Sequence, residues 1–166
     1  LSYHASHDIL TGLVTRREFE ARLERALKSA KARESSYCLC HLDLDQFKII
    51  NDNCGHSAGD ALLGQVGQLL KSKIRWRDTV ARLGGDEFTI IVHSTNAQAT
   101  ALRIMHSLHR PFSLSGHEMF VRSSIGIAVS TANDRTSTEL LRKADIALYR
   151  AKGEGRARYI LFTPEF

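Results

Sequence analysis

Apolar residues recur along this chain in two rhythms, one of three to four residues and one of two, and their alternation lays out the elements. After Asp8 and Leu10-Thr11-Gly12-Leu13, a turn leads through Arg16-Arg17-Glu18 into a helix on Phe19, Leu23, Leu27 and Ala30 that ends near Ala32. Tyr37 to Leu42 is an apolar run rich in strand formers, and it terminates in Asp43-Leu44-Asp45. Gln46 to Asn51 predicts a short helical turn, and Gly55 and Gly59 bracket a loop before Asp60. A long amphipathic helix then follows on Leu62, Leu63, Val66, Leu69, Leu70 and Ile74.

The second half repeats the alternation. Val80 to Leu83 and Phe88 to Val92 flank Gly84-Gly85-Asp86-Glu87, which reads as a β-hairpin with two acids on its turn. Asn96 to His109 is helical, with Leu102, Met105 and Leu108 on one face, and Pro111 closes it. A second hairpin uses Phe112 to Leu114, the turn Ser115-Gly116, and Met119 to Val129. Thr138 to Lys152 forms a last helix on Leu141, Ala144, Leu148 and Ala151, ended by Gly153 and Gly155, and Tyr159 to Phe162 is a final edge strand. Without an internal repeat or interior linker, residues 1–166 are expected to form one domain of α/β (α+β) class, a central, mostly antiparallel sheet flanked by helices.

Composition narrows the setting. The 166 residues, 43% of them hydrophobic, suffice for a real core. No apolar run is long enough to cross a bilayer and no signal peptide stands at the start, so a soluble, cytoplasmic domain without membrane contact is expected, whatever anchors the parent protein. The opening at Leu1 rather than Met suggests excision from a longer chain. Cys38, Cys40 and Cys54 lack zinc-ligand spacing and read as buried thiols in a reducing compartment. The formal net charge of +5 suits an anionic ligand, but the basic residues lack the aromatic interleaving of a nucleic-acid platform.

Chemistry concentrates at two places. If the strand ending in Asp43 lies beside the hairpin, Asp43 and Asp86 meet at one edge of the sheet, where two carboxylates repel unless a cation lies between them; hard oxygen ligands suit magnesium with a phosphate. The competing reading is that Asp43 and Asp45 cap the next helix. A helix starting near Gln46 offers free N–H groups to a phosphate, with Lys48 nearby, and Lys152 and Arg156 flank a glycine-containing helix end from which both could reach a triphosphate. Asn51 and Asp60 are candidates for reading a base, since an ionised Asp offers the acceptors that guanine's N1–H and N2 amino donors require; loop capping is their alternative, and His56 could equally be a satisfied loop histidine.

Taken together, these residues resemble a known family. Gly84-Gly85-Asp86-Glu87-Phe88 looks like the signature of GGDEF domains, the diguanylate cyclases. The resemblance extends through Asp8-Ile9-Leu10-Thr11-Gly12-Leu13, through Asp43-Leu44-Asp45-Gln46-Phe47-Lys48 with Asn51-Asp52 and Gly55-His56 to Gly59-Asp60, and through Ala144-Asp145 to Tyr149-Arg150-Ala151-Lys152. It implies a fold similar to nucleotidyl cyclase and polymerase palm domains, and condensation of two GTP into cyclic di-GMP by a homodimer. It further implies that Asp43, the carbonyl of Leu44 and Asp86 hold Mg2+ (or Mn2+), that Phe47, Asn51, His56 and Asp60 hold the guanosine end, and that Lys48, Lys152 and Arg156 neutralise phosphates. Asp86, with Glu87 beside it, would help deprotonate the ribose 3′-hydroxyl. Arg75 and Asp78 form Arg-x-x-Asp five residues before Gly84, where the family's product-inhibition site lies. Ile9 and Thr15 stand where the family commonly has Pro and Asn. Arg110-Pro111-Phe112, Ser124 to Ala128 and Thr163-Pro164-Glu165-Phe166 resemble GGDEF domains followed by an EAL phosphodiesterase domain, so an upstream sensor and a downstream EAL domain are expected neighbours.

Overall fold

A computed structural model describes residues 3–33, 36–93, 96–131, 134 and 136–166. The elements in chain order are α1 (Tyr3–Ser6), α2 (Arg16–Arg33), β1 (Cys38–Asp45), α3 (Phe47–Cys54), α4 (His56–Lys73), β2 (Thr79–Gly84), β3 (Glu87–Val92), α5 (Ala97–Leu108), β4 (Pro111–Leu114), β5 (His117–Phe120), β6 (Arg122–Val129), α6 (Ser137–Gly153) and β7 (Tyr159–Leu161). Five strands form one sheet in the order β2-β3-β1-β6-β7, antiparallel except for the β6–β7 pair, and β4 and β5 form a separate two-stranded ribbon. This is the expected sheet flanked by helices. No helix among the described residues is long and apolar enough to cross a membrane.

The sheet is covered on both faces, and β1 at its centre is buried along its whole length. Side chains alternate across a strand, so Cys38, Cys40, Leu42 and Leu44 enter one core with Leu62, Val66 and Leu70 of α4 and Ala101 and Ile104 of α5. Leu39 enters the other, with Phe19, Leu23 and Leu27 of α2 and Leu140 and Ala144 of α6. His41, Asp43 and Asp45 share Leu39's face, so the central strand carries a polar line beneath α6. A buried polar line needs partners, and the strand end where it emerges is where they collect.

The structure departs from the sequence pattern in four places. Gly55 and Gly59 do not bracket a loop: α4 starts at His56, and Gly59 and Asp60 lie in its first turns. The stretch Met119 to Val129 is two strands broken at the buried Val121, because β5 pairs only with β4 whereas β6 pairs with β1. Helix α5 buries Ala97, Ala101, Ile104 and Leu108, leaving Leu102 facing solvent; the packed stripe runs through small and large residues alike and bypasses Leu102. Cys54 is exposed rather than buried. Cys38 and Cys40 are core residues whose thiols burial pushes up to about 11 and about 12, so they remain protonated and inert.

Candidate active site

Antiparallel pairing of β1 with β3 sets Asp43 opposite Glu87, which brings the hairpin turn to the exit of β1. The turn residues Gly84 and Gly85 have φ of +143° and +49°, conformations that side chains rarely adopt, and each faces open space. Arg82 holds the turn from behind: its Nε donates to the Gly85 carbonyl at 2.9 Å and its Nη1 to Asp8 Oδ1 at 3.1 Å. Asp8 in turn accepts from the backbone and hydroxyl of Thr11 at 2.9 and 2.7 Å. The opening motif thus braces the hairpin that carries Asp86, a link that spacing along the chain does not reveal.

Asp43 at the exit of β1 and Asp86 on the β2–β3 turn meet at one edge of the sheet. Asp43 is 7% exposed; its Oδ2 takes the Lys152 ammonium, while its Oδ1 is buried without a hydrogen-bond partner. Burial and the neighbouring Asp43 carboxyl push the Asp86 carboxyl up to about 7. Two carboxyls that resist joint ionisation need either a shared proton or a cation between them. An unsatisfied carboxylate oxygen facing a second carboxyl fits a hard divalent cation, and because no third His, Cys, Asp or Glu joins them among the described residues, backbone, phosphate and water oxygens would complete the shell, as suits Mg2+.

The phosphate side of the site is also built. No side chain caps α3, and Gln46 before it adopts φ of +62°; the Ile49 N–H donates to the Gln46 carbonyl at 3.0 Å, and the N–H groups of Phe47 and exposed Lys48 ahead of it receive no side-chain cap. The capping alternative for Asp43 and Asp45 is thereby overturned: Asp43 takes Lys152, and Asp45 takes Ser124 and the backbone of Ala157. Lys152, in the last turn of α6, and Arg156 just beyond it converge on these two aspartates, Arg156 Nη1 standing 3.7 Å from Asp45 Oδ1.

Asn51 is half-buried on α3, while His56 and Asp60, four residues apart, share one side of α4 and are exposed. Gly59 decides where Asn51 sits: a Cβ there would overlap Asn51 Oδ1 and come within 3.3 Å of Phe47 Cζ. Asn51, Phe47 and Gly59 therefore form one packed corner. Gly59→Ala, in a helix that otherwise favours Ala, should displace the Asn51 amide while thermal stability shifts by no more than about 1 kcal/mol. The side-chain amide resonances in an NMR spectrum check this, and an unshifted Asn51 signal would mean that Gly59 does not set its place.

Comparison with known proteins gives the family. Residues 5–158 match the family described as Diguanylate cyclase, GGDEF domain. The chain belongs to that family. As a GGDEF domain it is 38% identical over 161 residues to MucR of Pseudomonas aeruginosa, named a bifunctional diguanylate cyclase/cyclic di-GMP phosphodiesterase; the match covers 95% of this chain and 24% of MucR. The chain thus spans about a quarter of that relative's length. Among solved structures, the GGDEF domain of TpbB from Pseudomonas aeruginosa superposes with a TM-score of 0.87 at 39% identity, covering 95% of this chain and 94% of that one. The GGDEF domain of DgcB from Caulobacter crescentus, in complex with c-di-GMP, gives a TM-score of 0.90 at 28% identity, covering 97% and 98%.

In this GGDEF domain Arg75 and Asp78 lie in the turn just before β2, whose five steps from Thr79 to Gly84 span roughly 17 Å. Asp78 accepts from the backbone N–H of His93 at 3.0 Å and of Arg75 at 3.2 Å, so its carboxylate shapes the loop as well as facing outward. A cavity of about 100 Å³ beside it is lined by Arg75, Asp78, His93, Asn96 and Arg103. Arg75 and Arg103 bring two arginines to the lining of this hollow beside the Asp78 carboxylate, and neither Asp43 nor Asp86 lines it.

Proposed function

We propose that this domain condenses two GTP molecules into cyclic di-GMP with release of two pyrophosphates, two copies facing each other around a two-fold axis so that each contributes one GTP. The observation that carries this reading is the buried, unsatisfied Asp43 Oδ1 set against an Asp86 carboxyl pushed up to about 7. Asp43, the Leu44 carbonyl and Asp86 would hold Mg2+ (or Mn2+), which when bound supplies Lewis-acid polarisation of the phosphate and hydroxyl oxygens. Asn51, His56 and Asp60 orient guanine, with Phe47 packed behind Asn51. Lys48, Lys152, Arg156 and the uncapped N-terminus of α3 hold the phosphates and counter the charge that builds on departing pyrophosphate.

Asp86, with Glu87 beside it, accepts the proton of the ribose 3′-hydroxyl. The freed 3′-oxygen bonds to the α-phosphorus of the partner's GTP as the bond from that phosphorus to pyrophosphate breaks, and the same event in the other direction closes the ring. Arg75 and Asp78 would bind the product and restrain turnover. Arg75→Ala should raise the product concentration that halves the rate by about tenfold or more and leave the initial rate unchanged, as an inhibition curve with added cyclic di-GMP would show.

Incubation with GTP and magnesium followed by chromatography of the nucleotides tests the reaction, and serial dilution tests the dimer: activity per subunit should fall on dilution. Cyclic di-GMP that never forms while GTP stays bound would favour a second reading, a GTP-binding regulatory module, or with dinucleotide binding alone a receptor, acting on an adjacent EAL phosphodiesterase domain. The relationship to MucR, whose name joins both activities, supports weighing that reading.

A further inference from the structure

The second carboxylate of Asp43-Leu44-Asp45 takes no part in the chemistry above, yet it is 7% exposed and both its oxygens are engaged. Ser124 Oγ donates to Asp45 Oδ1 at 2.7 Å, and the backbone N–H of Ala157 donates to Asp45 Oδ2 at 3.0 Å, with Ser124 Oγ 3.2 Å from the same N–H. Buried charges are retained where hydrogen bonds satisfy them, and here all the partners come from outside β1.

What these bonds hold is an improbable piece of chain. Arg156 and Ala157 have φ of +64° and +51°, directly after Gly155 at +116°. Residues bearing a Cβ seldom enter this left-handed region, and two in succession need an external reason. The reason on the β6 side is the Ser124 hydroxyl, and on the β1 side the Asp45 carboxylate. The turn leaves α6 sharply, returns the chain to β7 through the Ile125 N–H to Arg158 carbonyl bond at 2.9 Å, and sets the Arg156 guanidinium 3.7 Å from Asp45.

We infer that Asp45 and Ser124 form a buried latch that fixes the left-handed Arg156–Ala157 turn, making Asp45 a positioning residue for Arg156 in the phosphate site and not a metal ligand. The inference rests on the proposed nucleotide site for its functional half and on geometry alone for its structural half. Both Asp45 oxygens are engaged by Ser124 and Ala157, and removal of the carboxylate leaves the Ala157 amide only its longer contact with a Ser124 hydroxyl that has itself lost its acceptor, so the turn is freer to relax to negative φ.

Two measurements separate the halves. Hydrogen exchange of the Ala157 amide, followed by NMR, should accelerate at least about a hundredfold in Asp45→Ala. Equilibrium dialysis with GTP and magnesium should show about a tenfold loss of affinity in Asp45→Ala and in Arg156→Ala, but no more than about twofold further loss when Asp45→Ala is added to Arg156→Ala, because the two act as a unit. Additive losses would overturn the positioning role, and unchanged exchange at Ala157 would overturn the latch. Should Asp45→Ala not fold, Ser124→Ala keeps the carboxylate and removes one of its donors, with the same non-additivity expected at about threefold. If the unaltered domain binds no GTP, the nucleotide site fails as proposed, and exchange at Ala157 still decides whether the latch exists.

Discussion

Asp86→Asn should lower cyclic di-GMP formation by at least about a thousandfold and, at pH 8, raise the thermal midpoint of the metal-free domain. The loss of turnover follows from replacing both a cation-binding oxygen and the acceptor for the 3′-hydroxyl proton with a neutral amide. The gain in stability follows from the folded state's grip on a proton. The Asp86 carboxyl titrates near 3.8 when unperturbed and is pushed up to about 7 in the fold by burial and by Asp43. Between those values the folded state holds a proton that the unfolded chain has released, so stability falls as pH rises from about 4 to about 7 and the full loss is present above 7. A shift of three units in a dry site corresponds to about 4 kcal/mol; Asp86 is half-exposed, which reduces this to about 1–2 kcal/mol. Asn carries no such proton, so the variant's melting curves should lose this fall between pH 4 and pH 7. Magnesium should stabilise the parent domain at pH 8 and have little effect on the variant. A flat pH profile in the parent, or product from the variant, would remove Asp86 from the site.

How much of this was legible beforehand depends on the range over which each residue acts. Asp43, Asp86, Lys152 and Arg156 could be named because residue type and position at element ends constrain them locally, and antiparallel pairing of β1 with β3 then brings the first two together. Gly59 reads as a loop glycine because it and Gly55 stand close together just before the apolar helical stripe begins at Leu62. Its reason is tertiary, the Asn51 amide lying where a Cβ would be. The Asp45–Ser124–Ala157 latch joins positions far apart in the chain, and nothing in their local pattern separates Asp45 from a helix cap. The break at Val121 was hidden for a related reason: alternation continues smoothly from Met119 to Val129, and only the partner strands differ. Leu102 is large yet exposed, because α5 turns the stripe of Ala97, Ala101, Ile104 and Leu108 toward the core and Leu102 lies off it.

Gly126→Ala should cost this domain about 3 kcal/mol or more, a loss of roughly 10 °C in thermal midpoint, although the substitution adds one methyl group to a strand. Gly126 lies opposite His41 of β1, on the face covered by α6. A Cβ there would overlap the Ala144 carbonyl and the Leu148 amide, both backbone groups of that helix, and no change of rotamer can move them aside. Helix α6 must therefore lift from the sheet as a body. Lys152 rides on its last turn, so the displacement that destabilises the core also withdraws the ammonium from Asp43. The surviving folded fraction should bind GTP more weakly than its stability alone predicts, and the two losses should track each other across Gly126→Ala and the bulkier Gly126→Val. Gly153→Ala supplies the control, because that glycine lies at the end of the same helix with open space around its Cβ position, and the exchange should leave the midpoint unchanged or raise it. A Gly126→Ala domain that melts within about 2 °C of the parent would mean that α6 is not seated on the sheet backbone, and the geometry placing Lys152 over Asp43 would lose its foundation.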